Sequence, residues 1–407
     1  MANDPAQYPP TVPTIELAWP APVTPKSSDV DGGSLPTHAL PPLPAGAADE
    51  LVVTPYNGLL ELRPLFWAPS TFAVPEGGFG AYGLLSDPLF THIVQGGAGV
   101  GLVEHEPVGF VGYDYLALPI EFGFTAGRSE RTFAETVVRG NERFDYTETV
   151  AHGALRLGRG LFALERTFLG YVALGLEDHD EVDDSAREYA GGAYVKAPFR
   201  DTERYVEATL GYDDSTYYPT SYAREDGLGV RAIYRHSGLS GDLERNRALA
   251  DVDWTWSVLP AAGHQLVLRA LAGWSDGDDT LQGNFSVGGG LSYGLPRGYI
   301  DEAVATGRYL LGGSAAWRLP LWRPFAGGGT TPFRARQLIL EIFGDTANVA
   351  DDRLGGGTAS NWFTSVGGEL HMNVEFMDAM LSPGFGVACQ LDGERDVTAY
   401  FSVGFGF

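Results

Sequence analysis

The sequence predicts an all-β protein, a sixteen-stranded antiparallel transmembrane β-barrel. The end of the chain carries the clearest sign. Val397, Ala399, Phe401, Val403, Phe405 and Phe407 fall on one face, and Thr398, Tyr400, Ser402, Gly404 and Gly406 on the other. The two-residue period is that of a strand. A terminal strand so apolar on one face is a sticky edge in water, but it is the natural outer wall of a barrel closed in lipid. The same alternation recurs along the chain, and no run of eighteen apolar residues offers a transmembrane helix instead.

Composition narrows the class further. The 407 residues carry a formal net charge of -25, which repels phosphate backbones and argues against nucleic-acid partners. Cys389 is the single cysteine, so no intrachain disulfide can form. Residues 1–50 hold 11 of the 26 prolines and little periodicity, and read as an extended periplasmic segment or linker; residues 51–407 read as the barrel. The first residues lack the basic and apolar regions of a signal peptide. An exported barrel needs one, so the chain is expected to be a mature or trimmed form in a bacterial outer membrane, with membrane lipid around it.

Taken in order, the expected strands are 56–68, 78–86, 91–102, 107–117, 119–128, 144–158, 162–176, 202–213, 226–236, 247–258, 264–275, 306–319, 334–345, 361–374, 379–389 and 396–407. In 119–125, Ile120, Phe122 and Phe124 oppose Glu121, Gly123 and Thr125. In 205–212, Val206, Ala208, Leu210 and Tyr212 oppose Tyr205, Glu207, Thr209 and Gly211. In 248–258, Val252, Trp254, Trp256 and Val258 oppose Asp251, Asp253, Thr255 and Ser257. Charges on one face and large apolar groups on the other fit lumen and lipid. An even count returns both ends to one side of the membrane. Long outer loops are expected at 129–143, 176–201, 276–305 and 346–360. Short turns are expected at 87–90, 118–119, 159–161 and 259–263, while 214–225 and 320–333 are longer than this alternation wants.

The stretch 276–305 holds Phe285, Gly288 and Gly289 in F-x-x-G-G spacing, then Arg297, Gly298 and Tyr299. Here the chain resembles the BamA superfamily of outer-membrane barrels, also called the bacterial surface antigen family. Leu62-to-Trp67 and Ser86-to-Leu89 resemble the first strands of family barrels that follow a TolB-like propeller. Trp317 to Leu321, Phe343 to Asp345 and Ser365 to Gly367 resemble later family strands. Ala316 stands where the family pattern has Glu, and Ala347 where it has Gly. The resemblance implies a sixth outer loop folded into the lumen, with the arginine at its tip pairing with acids on the wall. It also implies a role in protein translocation or assembly at the outer membrane, through the seam between first and last strands. Residues 1–50 are too short for the POTRA domains of BamA-type insertases, so a barrel-only member or an excised barrel is expected.

Residue alternation supports the same geometry. Leu338, Leu340 and Ile342 form one face, which turns Glu341, Phe343 and Asp345 to the other; Ser365, Gly367, Glu369 and His371 turn inward from the next strand. Arg297 is expected to pair with Asp345, with Glu369 as the second choice, because a guanidinium suits a bidentate carboxylate. Without the resemblance, Arg297 also reads as a solvated loop residue. The acidic run around Glu177, His179 and Glu188 reads as a solvated outer loop rather than a calcium site, since it lacks EF-hand ligand order. No H-E-x-x-H, G-x-S-x-G or phosphate-binding loop occurs, so no catalysis, no cofactor and no metal are expected. Trp254, Trp256, Trp274, Trp317, Trp362 and Phe407 suit interface girdles. The alternatives to an assembly role are a partner-docking structural barrel or a passive pore.

Overall fold

The computed structural model describes residues 56–72, 78–101, 105–163, 166–182, 192–216, 226–239, 243–259, 263–288, 295–299, 303–323, 326–327, 333–356, 362–376, 379–392 and 396–406. The expected segment 1–50, Gly289 and Phe407 lie outside them. The strands are β1 Arg63–Phe72, β2 Gly78–Ser86, β3 His92–Gly101, β4 Pro107–Tyr115, β5 Glu121–Arg139, β6 Glu142–Ala163, β7 Arg166–Glu181, β8 Ala193–Tyr194, β9 Thr202–Asp213 and β10 Gly227–Ser237. They continue as β11 Arg245–Leu259, β12 His264–Gly277, β13 Phe285–Gly288, β14 Ala303–Gly307, β15 Tyr309–Trp322, β16 Ala326–Gly327, β17 Phe333–Ala350, β18 Trp362–Phe376, β19 Ala379–Gln390 and β20 Val397–Gly406. Only short 3-10 turns interrupt this pattern among the described residues.

Eighteen strands form one antiparallel sheet, and β13 pairs with β14 apart from it. Each long strand is the ladder partner of the next long strand in the chain. β7 runs on to β9, and β12 to β15, across the intervening short pieces. Each expected strand range overlaps one of the long strands, but residues 58–61 form a 3-10 turn, the turn expected at 159–161 is part of β6, and 306–307 belong to β14. Among the described residues no ladder joins β1 to β20, so the expected closure is not seen there.

Burial is inverted relative to a sheet in water. Leu155, Leu157, Val172, Leu174, Leu176, Leu210 and Trp256 are exposed, and Phe401 is 70% exposed. On the opposite face Glu148, Glu203, Glu207, Arg245, Glu341, Asp345 and Glu369 are buried. Strand parity dictates this, since neighbours alternate faces. The apolar residues on the buried face gather where β13 and β14 lie. Phe285 and Val287 pack with Leu249, Leu271, Leu310 and Val349. Gly273 makes room, because a Cβ there would sit 2.6 Å from the Phe285 ring.

All four expected outer loops hold some strand, and two of them differ most from expectation. The stretch 129–143 is mostly strand: β5 and β6 run past the polar residues to a tight turn at Gly140 and Asn141, with Gly140 at φ +68. Thr132 and Thr147 bond across that ladder, and Phe133 packs on Tyr146. The stretch 176–201 begins as strand, with Glu177 and His179 buried rather than solvated. Both misreadings have one cause: polarity signals a loop only where the polar face meets water, and here it meets other polar side chains.

Candidate functional site

β17 and β18 place Asp345 opposite Ser365 and Glu341 opposite Glu369 in register. Like charges directly opposite are unfavourable, so the Glu341–Glu369 pair calls for a cation. Arg297 supplies it. Its Nε donates to Asp345 Oδ2 at 2.8 Å, its Nη2 to Asp345 Oδ1 at 2.9 Å, and its Nη1 to Glu341 Oε1 at 2.5 Å. Asp345 also accepts from the Arg297 backbone N–H and from the Ser314 hydroxyl. Glu369 is the weaker partner, with Oε2 3.8 Å from Nη1. The second acid on Arg297 is thus Glu341 and not Glu369. Arg318 Nε holds the other oxygen of Glu341 at 2.7 Å, and the Tyr400 hydroxyl donates to Glu369 at 3.0 Å.

The guanidinium lies 3.4 Å above the centroid of the Phe343 ring, a cation–π contact in a buried setting. Next to it, Gly298 comes so close to β18 that a Cβ would sit 2.8 Å from the Ser365 Cβ. Its N–H donates to Ser365 Oγ, and its carbonyl accepts from Gln390 Nε2 and Thr398 Oγ1, each at 3.1 Å. Tyr299 is buried and packs edge-on against Phe363 at 5.6 Å. One tripeptide therefore touches β15, β17, β18, β19 and β20.

The root of the same loop has its own anchor. Gln282 Nε2 donates to Glu148 on β6 at 2.7 Å and to the Phe199 carbonyl at 2.9 Å, while the Phe199 N–H donates to Gln282 Oε1. Lys196 pairs with Asp279 at 2.7 Å.

The structure brings together Phe285, Gly288, Arg297, Gly298, Tyr299, Asp345, Glu341 and Glu369 along one buried face. Phe401 lies on the opposite, exposed face of β20, and Phe405 is placed only in register, opposite Leu381. Sequence reasoning missed Ser314, Gln390, Thr398, Tyr400 and Gln282. For Thr398 and Tyr400 the alternation of the last strand already gave the face; nothing in the sequence gave the partner.

No protein-family model and no curated protein matches the chain. Solved structures do. CdiB from Escherichia coli aligns over 86% of this chain at 12% identity and TM-score 0.54, and the chain spans 63% of its length. BamA from Haemophilus ducreyi lacking POTRA domains 1–3 aligns over 83% at 9% identity, TM-score 0.53, with 69% of its length spanned. CdiB from Acinetobacter baumannii aligns over 84% at 13% identity, TM-score 0.50, with 65% spanned. At these identities the likeness is one of fold alone.

Proposed function

We propose that the sixteen long strands close as a barrel in a bacterial outer membrane, with 276–305 folded into the lumen, and that the protein assists translocation or assembly of other proteins there. The inverted burial supports the membrane setting. Apolar side chains left in water would forgo about 1.5–3 kcal/mol each, a loss that lipid removes. Buried charges paired across the opposite face fit a lumen crossed by its own loop.

The seam between β1 and β20 is the working part of this reading, and one observation carries it. Among the described residues β1 pairs only with β2, and β20 only with β19. β1 also includes Pro64 and Pro69, which have no N–H to give to a ladder. A weak seam can admit a client strand by edge pairing. Hydrogen exchange of the detergent-folded protein tests the weakness: amides of 59–67 and 401–406 should exchange faster than those of β17 and β18. Equal protection throughout would refute a seam of this kind. Cysteine pairs across β1 and β20, in a Cys389→Ser background, should block insertion of an unfolded barrel client into vesicles carrying this protein, with reductant restoring it.

A further inference from the structure

A second charged cluster sits on β6, β7 and β9, away from Arg297. Glu177 and Glu203 are register partners on β7 and β9, so two carboxylates face each other directly. His179 lies two residues along the same face of β7. Its side chain is 0% exposed. Its Nδ1 is 3.2 Å from Glu148 Oε1, and its Nε2 is aimed between the two other glutamates, 3.8 Å from Glu177 Oε2 and 3.8 Å from Glu203 Oε2. Nε2 is buried and has no hydrogen-bond partner.

We propose that Glu177, His179 and Glu203 form a site for a divalent metal of the zinc class. Three features favour a metal ion over a proton at Nε2. A separation of 3.8 Å is too long for an N–H···O bond. Two donors sharing one tetrahedral ion at about 2.0–2.2 Å from each lie about 3.3–3.6 Å apart, so a shift of a few tenths of an ångström brings each pair to that spacing. The two carboxylate oxygens and Nε2 all lie within 4.8 Å of one another, so a small rotation of one glutamate completes the set. Glu148 on Nδ1 reproduces the carboxylate–histidine–metal relay, which leaves the Nε2 lone pair for the ion. An imidazole with two carboxylates suits zinc better than calcium or magnesium.

The surrounding arginines leave room for the ion. Arg235 takes Glu177 through Oε1 at 2.7 Å, so Oε2 remains for the metal, and it holds Glu207 at 2.9 Å through Nε. Arg245 bonds Glu203 Oε2 at 2.8 Å, which leaves a second lone pair on that oxygen. Arg131 lies 3.6 Å from Glu148. Four glutamates face three arginines, so a divalent ion would change the local charge from −1 to +1. A bound ion would tie β7 to β9 and, through Glu148 and Gln282, to the root of the loop.

The test uses the whole chain folded in detergent, stripped with chelator, equilibrated with zinc chloride and desalted. Mass-spectrometric metal analysis should find about one zinc per chain, and His179→Gln should lower zinc affinity by more than about tenfold. Folding of the variant is checked by its faster migration on an unheated gel. Should the variant not fold, X-ray absorption of the zinc-loaded wild type decides: one imidazole in the metal shell supports the site, and a shell without imidazole overturns it. No retained zinc in folded wild type, or equal zinc in folded His179→Gln, also overturns it.

Discussion

Arg297 and Asp345, 48 residues apart in the chain, meet through two parallel hydrogen bonds of 2.8 and 2.9 Å. A planar donor fork on a carboxylate is a directional contact that a lysine cannot reproduce. It fixes the loop tip against β17.

Arg297→Ala should therefore free the loop. Limited proteolysis should cut within 276–305 much faster than in the wild type, and stability in denaturant should fall by about 3–5 kcal/mol, because Asp345 and Glu341 are left buried without their shared cation. Arg297→Lys should fall between the two. Unchanged cleavage of Arg297→Ala would mean that the pair does not hold the loop.

The two neighbouring acids should rank by geometry. Asp345→Asn removes the bidentate partner and should match Arg297→Ala in proteolysis. Glu369→Gln keeps an acceptor for Tyr400, and toward Arg297 it loses a 3.8 Å contact. Its cleavage rate should stay near wild type. The reverse order would reassign the principal wall contact.

Gly298→Ala tests the close approach. The new methyl meets Ser365 Cβ at 2.8 Å, an overpacking that typically costs about 1–3 kcal/mol. Ser365→Gly in the same chain should recover part of that loss in a denaturant titration; no recovery would place the clash elsewhere.

A pH effect should appear at the β2–β3 turn. Asp87 accepts from the backbone N–H of His92 at 2.6 Å, from Thr91 at 2.9 Å and from the Tyr56 hydroxyl. Desolvation pushes its carboxyl up, but these donors prevail and hold it down at about 2. A depressed acid stabilises the fold above its unfolded value near 4 and loses that contribution as pH falls towards 2. The stability gap between wild type and Asp87→Asn should thus be constant above pH 5 and close between about pH 4 and 2. A gap that is flat across that window would exclude Asp87 as its source.

Much of the sheet was legible because alternation survives any environment. Val252, Trp254 and Trp256 against Asp251, Asp253 and Thr255 specify a strand and two faces whatever lies beyond them. The ends of β5, β6 and β7 were not legible. Runs such as Glu130 to Thr132 and Glu177 to His179 look like solvated loop until their cross-strand partners are known. The Arg297–Asp345 pair was legible only because a family motif marked one side and strand parity the other. Glu341 as second partner depended on the reach of the guanidinium, which no pattern encodes. Of the His179 cluster only Glu177 and His179 stood together in the sequence, since Glu148 and Glu203 come from two other strands.

The carbonyl of Gly298 is shared by Gln390 and Thr398, one on each of the last two strands. Neutral bonds of this kind contribute about 0.5–1.5 kcal/mol each, far less than the arginine pair beside them. The tripeptide is thus fastened firmly to β17 and only lightly to the final strand. Loss of the Thr398 contact alone would therefore leave the tripeptide seated on β17 and β18, and β20 would still be held by its ladder to β19.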